Sequence, residues 1–226
     1  MKLSVIIPAR DEARTLPELV ARVRATTLAH EIVVVDDGSA DATPSVLAGL
    51  AAGAPPLRLL RHESSRGKGA ALRTGVAAAT GDIALIQDAD LEYDPADYAA
   101  LLAPFADPRV EVVYGSRNLR AGNGRSNFAF YWGGRVLSVA ANALYGSKLT
   151  DIATGYKVFR LPLLRSLALR ADGFEFCEEV TARLLRRGIA IHEVPISYRP
   201  RSRAAGKKIR ARDGVIALWT LARLRW

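Results

Sequence analysis

Short runs of Val, Ile and Leu recur through the first half of the chain, at residues 3–7, 32–36, 57–61, 83–87 and 110–114. Near-continuous apolar runs of this length predict parallel strands buried on both faces. Between them the period changes. Leu16, Leu19, Val20 and Val23 repeat at i, i+3, i+4 and i+7; Val46, Leu47 and Leu50 keep helical spacing, and residues 69–80 form a helical stretch of small side chains. Strand and helix alternate to about residue 115, which predicts a βαβ array with ligand loops at the carboxyl ends of its strands.

The second half is less regular, with a long helical pattern at 128–145, another at 175–187, a strand-like stretch at 189–198 and a last helix at 213–226. In that helix Val215, Ile216, Leu218, Trp219, Ala222 and Leu224 make a broad apolar face, and Arg223 and Arg225 sit near the C-terminus, where the dipole favours cations. The face suits an in-plane element at a membrane surface or a helix packed on the core. Neither an internal repeat nor a low-complexity linker is present. The expected organisation is one α/β domain over residues 1–198, followed by a basic segment and amphipathic helix over 199–226 that meets a membrane surface or a partner.

Composition narrows the class. With 226 residues, half of them apolar, the chain can bury a full core. A single cysteine, Cys177, excludes an internal disulfide framework, and no Cys/His cluster has zinc spacing, which points to the cytosolic side. The apolar run at the N-terminus is too short for a signal peptide, and no apolar stretch reaches the roughly 18 residues of a membrane-spanning helix. The net charge of +9 is concentrated: Arg199, Arg201, Arg203, Lys207, Lys208, Arg210 and Arg212 share one segment without an acid. Such density suits phosphate partners, or a solubilising tail. Only Tyr198 accompanies it as a stacking aromatic, so nucleic acid is not an expected partner.

The candidate chemistry lies at the strand ends. Asp88 and Asp90 stand one residue apart after the run at 83–86. Two carboxylates there can bridge a divalent cation to a diphosphate, although an isolated Asp-x-Asp also reads as a solvated turn. Pro8-Ala9-Arg10-Asp11-Glu12 follows the first run and Asp36-Asp37-Gly38-Ser39 the second, where carboxylates can accept hydrogen bonds from a nucleobase and ribose, or serve as helix caps and an Asp-Gly turn. Three acidic strand ends would repel one another unless a cation or donors lay between them. Arg66-Gly67-Lys68-Gly69 lacks the upstream glycine of a Walker loop. Its glycines let a helix start lie close to the sheet, with Lys68 facing the nucleotide edge.

These elements together resemble a family 2 glycosyltransferase of GT-A fold, of the dolichol-phosphate mannose synthase and polyprenyl-phosphate glycosyltransferase type. The likeness is carried in order by residues 5–12, 35–39, 67–69, 88–92, Gly115-Ser116-Arg117, residues 151–157 and Phe174-Glu175-Phe176. It implies a Rossmann-like mixed sheet flanked by helices in a single domain. It implies that Pro8, Arg10, Glu12, Val35 and Asp37 line a nucleoside pocket, and that Asp88, Ala89 and Asp90 hold a diphosphate and its Mg²⁺ or Mn²⁺. Glu92 falls at a further metal or sugar contact, Arg117 at the acceptor phosphate, and Arg201 and Lys208 at positions that close over the diphosphate. Asp151 either orients the acceptor side or caps the Thr154-Gly155 turn.

The implied reaction is inverting transfer of a hexose from GDP-mannose or a UDP-sugar to a polyprenyl phosphate, dolichyl or undecaprenyl, on the cytoplasmic face of a membrane. An anionic membrane surface and a separate membrane subunit are the further partners implied, since many relatives carry transmembrane helices after the catalytic domain. A hydroxyl acceptor would instead require Asp151 or Glu175 as base. A noncatalytic nucleotide-binding module would be expected to lose a metal carboxylate, and both aspartates are present. Glu178 and Glu179 are expected to be scaffold or surface.

Overall fold

The structure, a computed structural model, describes residues 1–124, 128–201 and 211–226. Among the described residues one mixed seven-stranded sheet has the order β3-β2-β1-β4-β6-β5-β7. Strands β1 Leu3–Ala9, β2 Ala29–Asp36, β3 Leu57–Arg61 and β4 Ile83–Ile86 are the predicted apolar runs, and they pair in parallel. Strand β5 is Val112–Ser116, two residues later than the apolar run suggested. Strand β6, Lys157–Arg160, enters antiparallel between β4 and β5, and β7, His192–Pro195, joins the far edge parallel to β5.

Strand β6 gives little sequence signal, because it is four residues long and opens on a lysine. Lys157 is nevertheless buried: its Nζ donates to the carbonyls of Ile152 at 2.9 Å and Thr154 at 2.5 Å and lies 4.6 Å from the centre of the Tyr114 ring. The charge is stabilised by those acceptors, and it holds the 152–154 loop at the end of the sheet.

Eight α-helices occur among the described residues: α1 Leu16–Ala25, α2 Thr43–Leu50, α3 Lys68–Ala78, α4 Tyr98–Leu102, α5 Phe128–Tyr145, α6 Leu161–Ser166, α7 Phe176–Arg186 and α8 Ala211–Arg225. Alternation along the strands divides the core. Val5, Ile7, Ile32 and Val34 face Leu16, Leu19 and Val20 of α1, while Ile6 and Ala84 face Leu72 of α3 and Phe176 of α7. A third cluster forms where α5, α7 and α8 meet, around Ala141, Ala182 and Leu221. There Tyr145 Oη donates to the Leu221 carbonyl at 2.7 Å. Helix α8 therefore packs one face on the fold, yet Val215 and Trp219 stay exposed on the other.

Strands β1, β2, β4 and β5 all point the same way, so their carboxyl ends, and the loop entering β6, converge on one edge of the sheet. Close helix packing beneath that edge depends on Gly75. A Cβ there would come 2.5 Å from Ile6 Cγ2 and 3.4 Å from Val35 Cγ2. Helix propensity favours alanine over glycine by about 1 kcal/mol, but overpacking against a stiff, fully buried isoleucine costs about 1–3 kcal/mol. Gly75→Ala is expected to lower the urea midpoint; a raised midpoint would mean that propensity outweighs the clash.

Candidate active site at the carboxyl edge of the sheet

The part of the edge expected to meet the nucleoside is built from β1 and β2. Asp37 lies just past β2 with both oxygens engaged: Oδ1 accepts from Arg66 N at 2.9 Å and lies 2.7 Å from His62 Nδ1, and Oδ2 accepts from Ser65 Oγ at 2.8 Å and Gly67 N at 2.9 Å. Burial pushes this carboxyl up, yet the hydrogen bonds prevail and hold it below the ordinary aspartate value. Its observed work is to shape the 62–67 loop. Val35 is fully buried against α3, so its side chain belongs to the core rather than to a pocket wall. Pro8 is half-buried and Arg10 exposed, with its Nε 3.7 Å from Asp11. Asp11 itself adopts a left-handed backbone, φ 50°, and accepts from Ala40 N.

Gly67 and Gly69 permit a close approach, but to a different neighbour than the sequence suggested. Their Cβ positions are filled by the backbone of residues 171–173, and Gly69 N and Ala70 N both donate to the Asp172 carbonyl. Lys68, thus fixed at the start of α3, reaches Asp88 Oδ1 at 2.5 Å. Burial works against its charge, but Asp88 outweighs it and raises the ammonium above its ordinary value.

Asp88 and Asp90 come off β4 in a tight turn whose next residue, Leu91, has φ 59°, an uncommon conformation for leucine. Gln87 fixes the start of the turn: its Oε1 accepts from Tyr98 Oη at 2.8 Å and Tyr156 Oη at 2.7 Å, while Nε2 donates to the Asp88 carbonyl at 2.9 Å. Burial, with Asp88 and Glu92 close by, pushes Asp90 up to about 6, against the pull of Arg201. Gly155 must be glycine, because a Cβ would strike Asp88 Oδ2 and the Tyr93 ring.

Arg201 knits this side together. Its Nη2 lies 3.0 Å from Glu12 Oε1 and 3.3 Å from Asp90 Oδ2, and its backbone N donates to Glu92 Oε1 at 2.8 Å. Its Nε is buried without a partner. Glu92, expected as a further metal or sugar contact, is engaged by the protein here: Oε1 holds the Arg201 backbone, and Oε2 accepts from Tyr198 Oη at 2.9 Å. Among the described residues no group of three or more His, Cys, Asp or Glu assembles as a metal cage. Asp88 and Asp90 form a two-carboxylate, all-oxygen pair, crowded enough that one resists ionising. Such a pair suits Mg²⁺ or Mn²⁺ completed by substrate phosphates and water. Lys208 lies outside the described residues.

Arg117 directly follows β5, close to the Tyr93 hydroxyl. Asp151, almost wholly buried, receives Arg117 Nε at 2.7 Å on Oδ2, Nη2 at 2.7 Å on Oδ1 and the Arg117 backbone N at 3.0 Å. It orients the arginine; Gly155 N instead donates to Tyr93 Oη. The arginine also stacks over Tyr198, 5.1 Å from its centre. Glu193 was not singled out by sequence, yet it accepts from Thr150 N, Thr150 Oγ1 and Asp151 N and so fixes that loop. Glu175 accepts from Gly173 N at 3.1 Å. Glu179 is buried scaffold, accepting from Arg170 N and Ala171 N, and Glu178, also buried, is pushed up to about 7 by burial against the pull of Lys157.

Comparison with known proteins agrees with this geometry. Residues 4–167 match the family described as Glycosyl transferase family 2. The chain is 33% identical over 230 residues to polyprenol monophosphomannose synthase of Mycolicibacterium smegmatis, covering 95% of this chain and 85% of that protein. It is 30% identical over 208 residues to undecaprenyl-phosphate mannosyltransferase of Micrococcus luteus, covering 88% and 84%. Among solved structures, glucosyl-3-phosphoglycerate synthase from Mycobacterium tuberculosis in complex with UDP superposes with a TM-score of 0.76 at 23% identity, over 99% of this chain and 80% of that one. The same enzyme with Mn²⁺, UDP and phosphoglyceric acid gives 0.75 at 22%, over 99% and 78%. These two share the GT-A fold expected from the sequence.

The Asp37 network makes a direct forecast. Asp37→Ala strands two backbone amides and two side-chain partners, at roughly 1–3 kcal/mol for each buried group left unsatisfied. Amide exchange at Arg66 and Gly67 should accelerate, and unchanged protection would contradict the assignment. Because the folded carboxyl lies below its ordinary value, its stabilisation is complete above that value and lost as pH falls through the folded one.

Proposed function

The chain belongs to glycosyl transferase family 2, and from that premise we propose that it moves a hexose from GDP-mannose or a UDP-sugar to a polyprenyl phosphate, inverting the anomeric carbon. The observation that carries this reading is Arg117, gripped on two sides by Asp151, with the buried Tyr93 hydroxyl close enough to feel the charges of both Arg117 and Asp88. A phosphate acceptor is already ionised near neutral pH, so it needs a positioned cation rather than a base. The relatives named for polyprenyl or undecaprenyl phosphate support the same acceptor.

A hydroxyl acceptor finds less support. Both oxygens of Asp151 are committed to Arg117, and Glu175 serves its own loop. Glu178 titrates in a base's range but is only 3% exposed.

In the proposed reaction Glu12 and the Asp37-shaped loop bound the nucleoside, and Lys68 and Arg201 flank the diphosphate. A Mg²⁺ or Mn²⁺ held by Asp88 and Asp90 would neutralise charge as it builds on the departing diphosphate. Arg201 must first release Asp90 Oδ2, after which its guanidinium is free to meet the diphosphate oxygens. Arg117 aims the acceptor oxygen at the face of the sugar opposite the leaving group, which inverts the centre. The domain over residues 1–198, joined by Arg201 from the basic segment, carries this chemistry, and the enzyme works from the cytoplasmic face, where its basic segment and α8 meet the membrane.

Radiolabelled sugar should pass from one of these donors into an organic-extractable product. Intact nucleotide-sugar binding without any lipid product would overturn the acceptor assignment. Asp88→Asn with Asp90→Asn should reduce turnover by about 10²–10³-fold, and retained turnover would exclude the leaving-group role. The titration of Asp90 sets a pH limit, because a metal ligand must be ionised. Mn²⁺-dependent nucleotide affinity should fall about tenfold per unit below pH 6. The unliganded fold behaves oppositely: it binds this proton more tightly than the unfolded chain, so the stability Asp90 adds at low pH is lost as pH rises through about 6.

A further inference from the structure

The mechanism leaves Glu92 without a task. It closes the turn that carries the aspartate pair, with its backbone N donating to Asp90 Oδ1 at 3.1 Å, and its side chain is buried. From there it meets the segment after β7 at three points. Its carbonyl accepts from Arg199 N at 2.9 Å, Oε1 from Arg201 N at 2.8 Å, and Oε2 from Tyr198 Oη at 2.9 Å. A buried carboxylate whose two oxygens are both engaged by donors from one short segment is held more firmly than an exposed ion pair would be. Residues 198–201 are thus fastened to the aspartate turn before any ligand arrives.

The fastened segment supports one cation at each end. At one end is Arg201, whose guanidinium spans Glu12 and Asp90 and whose buried Nε has no partner, so its resting place leaves a donor for a further acceptor. At the other end the Tyr198 ring lies against Arg117, 5.1 Å from the guanidinium carbon, and packs on Tyr93 at 5.5 Å between ring centres. Asn123 secures that end, because its Oδ1 accepts from Tyr198 N at 3.0 Å while Nδ2 donates to the carbonyls of Arg117 at 2.8 Å and Ile196 at 2.9 Å. Arg117 is therefore tied to Tyr198 through both its side chain and its backbone. Asp151 sets the direction of the guanidinium, and the bond of Tyr198 to Glu92 links it to the turn that holds the aspartates. Spacing of this kind matters, since a misplacement of about 1 Å can cost about 10²-fold in rate.

We propose that Glu92 is a positioning residue: it buckles residues 198–201 to the aspartate turn and so sets the spacing between Arg201, on the diphosphate side, and Arg117, on the acceptor side. The fastening stands on the contacts themselves, while the use given to Arg117 rests on the acceptor reading above. Substitutions separate the contacts. Glu92→Gln keeps both side-chain bonds, because the amide oxygen accepts from Arg201 N and the amide nitrogen donates to Tyr198 Oη, a phenol that accepts as well as donates. Glu92→Ala loses both, and Tyr198→Phe loses the hydroxyl while keeping the ring against Arg117. Two quantities are measured at about pH 8, where Asp90 is ionised: Mn²⁺-dependent affinity for GDP or UDP, whichever the parent binds, and KM for a short, water-soluble prenyl phosphate. Glu92→Gln should stay within about twofold of the parent in both, and Glu92→Ala should weaken each about tenfold. Tyr198→Phe should raise the acceptor KM about three- to tenfold and leave nucleotide affinity unchanged. A roughly tenfold loss in Glu92→Gln would overturn the proposal, because the charge would then matter rather than the two bonds, as for a metal ligand. A lowered melting temperature in Tyr198→Phe with the parent's acceptor KM would overturn it too, and this variant decides if Glu92→Ala does not fold. A parent that glycosylates no prenyl phosphate would refute the acceptor reading instead. The buckle is then judged on nucleotide binding, where parental affinity in Glu92→Ala would overturn it.

Discussion

Four carboxylates crowd one edge of this sheet, and two cations make that arrangement tolerable. Lys68 neutralises Asp88, and Arg201 spans Glu12 and Asp90 while its backbone holds Glu92. Like charges this close cannot all stay ionised without such partners, and the upward displacement of Asp90 registers the residual strain. Both cations are tied to acids that an incoming metal and diphosphate would engage. Substrate binding then becomes an exchange of partners rather than the addition of charge to a finished site, which keeps the desolvation cost low.

The surrounding residues keep that exchange local. Gln87 locks the start of the aspartate turn to Tyr98 and Tyr156, and Tyr93 packs against Tyr156 at 4.8 Å between ring centres while its hydroxyl receives Gly155 N. The same tyrosine lies within electrostatic reach of Asp88 as well as of Arg117 and Asp151. Donor and acceptor anions can thus be held close together by different cations, each oriented by its own carboxylate. Family membership makes the chain a glycosyltransferase, and this division of charge explains how such an enzyme would bring two anions together.

Much of the fold could be read from the chain, because strands buried on both faces leave unbroken apolar runs and α1 has a clean helical period. Strand β6 could not, since its buried Lys157 looks polar until the carbonyls of Ile152 and Thr154 are seen around it. At the site, the aspartate pair and Arg117 stood out by spacing and resemblance. Their partners did not: Asp151 meets Arg117 across 34 positions, and Glu193 supports that loop across 42. Glu92 and Val35 were placed at the site by resemblance alone, and the contacts that hold them here, the Arg201 backbone and Tyr198 for Glu92 and complete burial for Val35, leave no trace in the sequence. Glycines 67 and 69 likewise announced a close approach without naming the 171–173 backbone as the neighbour.

The most direct test of the partner exchange is a crystal structure with Mn²⁺ and a nucleoside diphosphate. The expected result is a cation between Asp88 and Asp90 in contact with the diphosphate, with Arg201 withdrawn from Asp90 Oδ2 onto a phosphate oxygen. A diphosphate bound elsewhere, with Lys68 still on Asp88 and Arg201 still on Asp90, would contradict it.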